Sequence, residues 1–93
     1  MIDEIFNEAI DDLNLQLAEE ERIDKNDAVI LFGADAAIDS MGLINFILLI
    51  EEKIMVRIGK QVAVFKEEHL SEEGSPLKTV GTFKKYVGEI ILQ

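Results

Sequence analysis

Residues 41–50, Met-Gly-Leu-Ile-Asn-Phe-Ile-Leu-Leu-Ile, constrain the fold of this chain more than any other stretch. The run is interrupted only by Asn45 and is about half the ~20 residues that a helix needs to cross a bilayer. It therefore belongs in a folded core. Asp39 and Ser40 precede it, and either side chain can accept from the free N–H groups of a first helical turn. Glu51, Glu52 and Lys53 mark its polar end, so the spacing predicts a helix over residues 40–54. A helix apolar almost all round is either buried on most sides or keeps one apolar face for a partner.

The rest of the chain supplies elements to pack around it. In residues 2–18, Ile2, Ile5, Phe6, Ala9, Ile10, Leu13 and Leu17 recur at three- and four-residue steps, which predicts a helix. Asp3, Glu4, Glu8, Asp11 and Asp12 fill its other face, and Glu19, Glu20 and Glu21 read as its solvated end. Residues 22–38 have no clean period. They read as a long connection with turn chemistry at Asp24, Asn26 and Asp27 and an apolar cluster from Val29 to Phe32 that packs on the core. Residues 55–65 alternate weakly around Gly59, as an extended segment, a loop or a hairpin would. A short helix over residues 66–74 ends at Gly74, Ser75-Pro76 breaks the chain, and Thr79 caps a last helix over residues 80–91. In that helix Val80, Phe83, Val87, Ile90 and Ile91 share a face, while Gly81 and Gly88 weaken it. The expectation is one all-α domain over residues 1–93. It is a four-helix bundle of three longer helices and one short one, with a long loop between helices 1 and 2. No single stripe is stable unless the helices pack together.

Charge narrows the function. The 93 residues carry nineteen acids and nine bases, a net −10. Residues 1–52 hold fourteen acids against Arg22 and Lys25, while residues 53–93 hold five acids and seven bases. A nucleic acid or an anionic membrane surface demands the opposite sign, so neither is expected as a partner. A negative field favours a soluble monomer and speeds encounter with basic partners. There is no cysteine, which excludes disulfides and thiolate chemistry. The first twelve residues lack a basic stretch followed by an apolar one, so no signal peptide is expected and the expected compartment is the cytoplasm.

The informative motif is Ile38-Asp39-Ser40-Met41-Gly42-Leu43, a serine set at the start of a helix after a long loop. With Glu51-Glu52, eleven and twelve residues beyond Ser40, with the acidic first helix, the Leu31-Phe32 loop and residues 75–80 before the last helix, it resembles the acyl carrier protein family of phosphopantetheine-binding domains. The resemblance runs over nearly the whole chain and implies an acyl-carrier-like fold. It implies a covalent 4′-phosphopantetheine on Ser40, attached by a phosphopantetheinyl transferase, with Asp39 as helix cap, transferase contact or both. A free helix N-terminus suits the phosphodiester of such a group.

The resemblance further implies a non-catalytic protein that carries acyl groups as thioesters between a loading ligase or acyltransferase and synthase enzymes, in fatty-acid, polyketide or other specialised biosynthesis. Met41, Ile44 and Leu48 step along one side of helix 2 beside Ser40 and would dock into an apolar groove on a partner. Phe46, Ile50 and Ile54 lie on another side and read as core. Steering charge would come from helix 1 and from Asp35, Asp39, Glu51 and Glu52. Carriers of fatty acid synthesis typically have acids two and five positions after the serine, where this chain has Gly42 and Asn45. That departure points to a specialised carrier. A carried chain would swing into partner sites or enter a cavity lined by residues such as Phe32, Phe46, Ile50 and Val87.

Two alternatives stand beside this reading. An aminoacyl carrier, such as those that pass alanine to cell-wall teichoic acids, shares the Leu31-Phe32 and Asp39-Ser40 layout. A helical interaction module without a prosthetic group would use Ser40 only as a cap. An enzyme is a distant third. His69 is the sole histidine and reads as a surface residue, leaving no triad or histidine-based zinc site. Asp24-Lys25-Asn26-Asp27 begins like a calcium loop, but Val29 stands where the sixth position needs glycine.

Overall fold

A computed structural model describes residues 1–33, 35–64 and 75–92. The described residues form three α-helices: α1 (Ile2–Gln16), α2 (Ser40–Ile58) and α3 (Val80–Ile91). A 3-10 turn, Glu19–Glu21, follows α1, and there is no strand among the described residues, only an isolated bridge between Ile30 and Thr79. α1 packs against both α2 and α3. The short helix expected over residues 66–74 lies outside the described residues, as does His69. No described helix is long and apolar enough to cross a membrane.

The apolar stripes meet where their spacing places them. Ile5, Phe6, Ala9, Ile10 and Leu13 of α1, Leu43, Phe46, Ile47, Ile50 and Ile54 of α2, and Val80, Phe83 and Val87 of α3 form one buried cluster. At its centre each helix contributes one ring. Phe6 and Phe83 meet edge to face with centroids 5.0 Å apart, Phe46 and Phe83 at 5.7 Å, and Phe6 and Phe46 at 5.8 Å. Such pairs add about 0.5–1.5 kcal/mol each beyond the area they bury.

Both helix boundaries that the periodicity set at residues 18 and 54 move. α1 ends at Gln16, and Leu17 is extended. Asn14 causes the break: its side-chain amide donates to the Ile23 carbonyl and accepts from the Ile23 N–H, both at 2.9 Å. Arg22 Nε also donates to the Asn14 carbonyl at 3.1 Å. The returning chain thus takes the end of α1, and Glu19–Glu21 form a separate exposed turn rather than the tail of the helix.

α2 in turn continues through residues 55–58, which were expected to be extended, a loop or a hairpin. Ile58 extends the inner stripe, and Arg57 on the next turn reaches Glu4 and Glu8 of α1. The helix stops at Gly59, whose φ of 66° is left-handed and whose N–H donates to the Met55 carbonyl.

The long connection between α1 and α2 is stitched to the start of α3. Leu31 N–H donates to the Lys78 carbonyl at 2.7 Å, Val80 N–H to the Val29 carbonyl at 3.0 Å, and Gly81 N–H to the Asp27 carbonyl at 2.9 Å. A side chain at Gly81 would place its Cβ 3.2 Å from Asp27, so this glycine permits the approach, beyond lowering helix propensity. Asn26 and Asp27 supply the expected turn, with Asn26 Oδ1 accepting from the Ala28 N–H at 2.8 Å. Ile23, Leu31 and Ile38 drop into the core from this connection. Thr79 caps α3 through a reciprocal box with Thr82.

Candidate functional site

Ser40 is the first residue of α2 and is exposed. The cap is its neighbour: Asp39 Oδ1 accepts from the Gly42 N–H at 2.7 Å, and the Asp39 carbonyl accepts from the Leu43 N–H at 2.9 Å. Asp39 is extended, as a cap residue is, and Ser40 makes no side-chain hydrogen bond among the described residues. Of the two residues that could cap this helix, the acid takes the position, and the hydroxyl is left over at the positive end of a 19-residue helix.

Ser40 borders a shallow depression of about 350 Å³, lined also by Leu31, Phe32, Gly33, Ala36, Ile38, Asp39 and Leu43. Its floor is apolar because Leu31, Ile38 and Leu43 are core residues seen from outside. Asp35 is exposed on the same loop.

From Ser40 an uncovered apolar strip runs down α2. Met41 is 65% exposed, Ile44 45% and Leu48 56%, whereas Phe46, Ile50 and Ile54 on the opposite side are fully buried. The periodicity therefore sorted the two sides of α2 as they stand. It missed Met55, 48% exposed, which prolongs the strip, because the helix was expected to end one residue before it. Leu48 and Met55 also line a broad groove of about 700 Å³ with Glu51, Glu52 and residues 61–63.

The paired glutamates differ. Glu51 is half-buried, and its Oε2 accepts from the Val64 N–H at 2.7 Å, which ties the chain after α2 back to the helix. Glu52 is exposed and makes no ion pair among the described residues. Phe46, Ile50 and Val87, expected along an interior cavity, are fully buried, while Phe32 lines the surface depression.

All five acids of α1 meet a base. Asp3 pairs with Lys84 at 3.1 Å, Glu4 and Glu8 with Arg57 at 2.7 and 2.8 Å, Asp11 with Lys25 at 2.9 Å, and Asp12 with Lys53 at 2.7 Å. Lys84 also holds Asp27 at 2.7 Å. The hydrogen bond from Arg57, then its charge, holds the Glu4 carboxyl below its ordinary range, and the bonds to Glu4 and Glu8 raise the Arg57 guanidinium. Burial pushes the Lys84 ammonium down, but its bonds to Asp27 and Asp3 outweigh this and raise it. The steering charge expected of α1 is thus partly compensated within the fold, by four bases shared among these five acids and Asp27. Among the described residues, the acids without an ion pair include Asp35 on the connecting loop and Glu52 on α2 between Leu48 and Met55. No group of three or more potential metal ligands occurs among the described residues.

Comparison with known protein families gives no matching family model, and comparison with curated proteins and with solved structures gives no match.

Proposed function

We propose that this chain is a carrier protein, modified on Ser40 with 4′-phosphopantetheine and acting as the substrate of partner enzymes in a biosynthetic pathway. The observation that carries the reading is the division of labour at the start of α2: Asp39 supplies the cap, and the exposed Ser40 hydroxyl is left without a structural task. A serine retained only as a cap would make the bond that Asp39 makes.

The residues present fit such a group. The hydroxyl is accessible, the first turn of α2 turns its N–H groups and positive dipole end toward any phosphate attached there, and Asp39 orders that turn. In the attachment, Ser40 Oγ bonds to the β-phosphorus of coenzyme A. The pyrophosphate P–O bond breaks, the adenosine bisphosphate half leaves with the electron pair, and the serine proton passes to a base of the transferase. When attached, the group supplies a thiol that holds acyl groups as thioesters. The chain's own work is to present Ser40 at a capped helix end and to offer Met41, Ile44 and Leu48 as an apolar docking strip, with exposed charges at Asp35 on the loop before α2 and at Glu52 on α2.

The test is intact-protein mass before and after incubation with coenzyme A, magnesium and a broad-specificity phosphopantetheinyl transferase, with Ser40→Ala alongside. The expected result is a gain of one phosphopantetheine that the alanine variant lacks. A folded, initially unmodified chain that gains nothing would remove the carrier reading.

A further inference from the structure

We infer that a group carried at Ser40 stays outside the helical core, so that this chain suits a short or polar acyl or aminoacyl cargo rather than a long alkyl chain. The inference rests on the carrier reading of Ser40, and three observations carry it. The centre of the bundle is occupied by Phe6, Phe46 and Phe83, each ring edge to face with the other two at centroid distances between 5.0 and 5.8 Å. Ile50, Ile54 and Val87, of the same buried cluster, have no exposed surface, and a packed interior takes in extra methylenes only by forcing its neighbours off their rotamers.

Among the described residues, five depressions lie on the outer side of α2, along its seam with α1 and over the connecting loop, and none of these is lined by Phe46, Ile50 or Val87. The one that includes Ser40 is open, and its floor of Leu31, Ile38 and Leu43 is the outer surface of the core. A long alkyl chain would therefore remain against the surface or in water, at a cost that grows with each methylene, whereas a short or polar group incurs little of it.

The experiment loads the full chain with acetyl, alanyl and octanoyl groups from the corresponding coenzyme A thioesters, using the same transferase, and confirms each product by mass. Methyl NMR then follows Ile50, Ile54 and Val87, and hydroxylamine cleavage follows thioester exposure. The expected result is unchanged core methyl shifts in all three forms, changes confined to Leu31, Ile38 and Leu43, and for each group a cleavage rate equal to that of the same thioester on free pantetheine. Core methyl shifts in the octanoyl form that are absent in the acetyl form, or protection of its thioester by about tenfold or more, would overturn the inference and leave the carrier reading intact. Absence of any mass gain would instead remove the carrier reading, and this inference with it.

Discussion

α1 and α2 finish their outer faces in opposite ways. α1 sets five acids outside, and each meets a base from another part of the chain. α2 sets Met41, Ile44, Leu48 and Met55 outside, each about half exposed or more. The inner faces of both helices are equally well buried, so the core does not account for the difference. The acids of α1 are tied into the domain by ion pairs, as are Lys53 and Arg57 of α2, whereas the apolar strip of α2 is left exposed. An exposed apolar face costs solubility, and on the carrier reading proposed above it is where a partner would dock.

That contrast can be broken at its largest point first. Phe6→Ala removes a ring that touches both other helices and should cost about 3–5 kcal/mol in denaturant or thermal unfolding. Leu48→Ala should stay within about 0.5 kcal/mol of the parent chain. A Leu48→Ala penalty near that of Phe6→Ala would mean that the strip belongs to the core after all. The adjacent glutamates sharpen the point within α2 itself. Glu51→Ala leaves the buried Val64 N–H without its acceptor and should cost about 1–3 kcal/mol, while Glu52→Ala should be near neutral.

At the helix start, Asp39→Ala should cost about 1 kcal/mol through loss of the cap, and Ser40→Ala should leave the unfolding midpoint unchanged. Equal losses at both positions would show that the serine shares the capping. The smallest effect belongs to the α1 clamp. Glu4 is held below its ordinary carboxylate range by Arg57, so its contribution is present above the pKa it has in the unfolded chain and is lost as pH falls through its lower folded value. Unfolding midpoints of the parent and Glu4→Gln chains should differ at neutral pH and converge in acid, once pH has fallen through the lowered Glu4 range. A difference that persists in acid would mean that packing, and not charge, holds that corner.

Much of the scaffold was legible because it follows from period alone. The stripes of α1 and α3, the Thr79 cap and the two sides of α2 can be read from three- and four-residue steps. What period could not show depends on contacts between distant residues. Asn14 ends α1 by binding Ile23, nine residues on, and nothing in the local pattern announces that. Arg57 and Ile58 prolong α2 because partners on α1 and in the core receive them. Gly59 was the one local sign of that longer helix, since a glycine after an apolar run is a common stop. At the candidate site, Asp39, Ser40 and the strip were legible from sequence. The depression beside them was not, since Leu31 and Ile38 come to it from a connection without periodicity.

The assignment of the cap to Asp39 has a thermodynamic consequence. The hydrogen bonds that start α2 belong to groups other than the Ser40 hydroxyl, so replacing its proton with a bulky substituent breaks none of them. A phosphate attached there would meet the positive end of the α2 dipole with every capping bond still in place, so substitution would add to the stability of the helix start rather than trade against it. On the carrier reading proposed above, loading and unloading would leave the capping bonds intact, and partners would tell the forms apart by what hangs from Ser40 rather than by any change in the helices behind it.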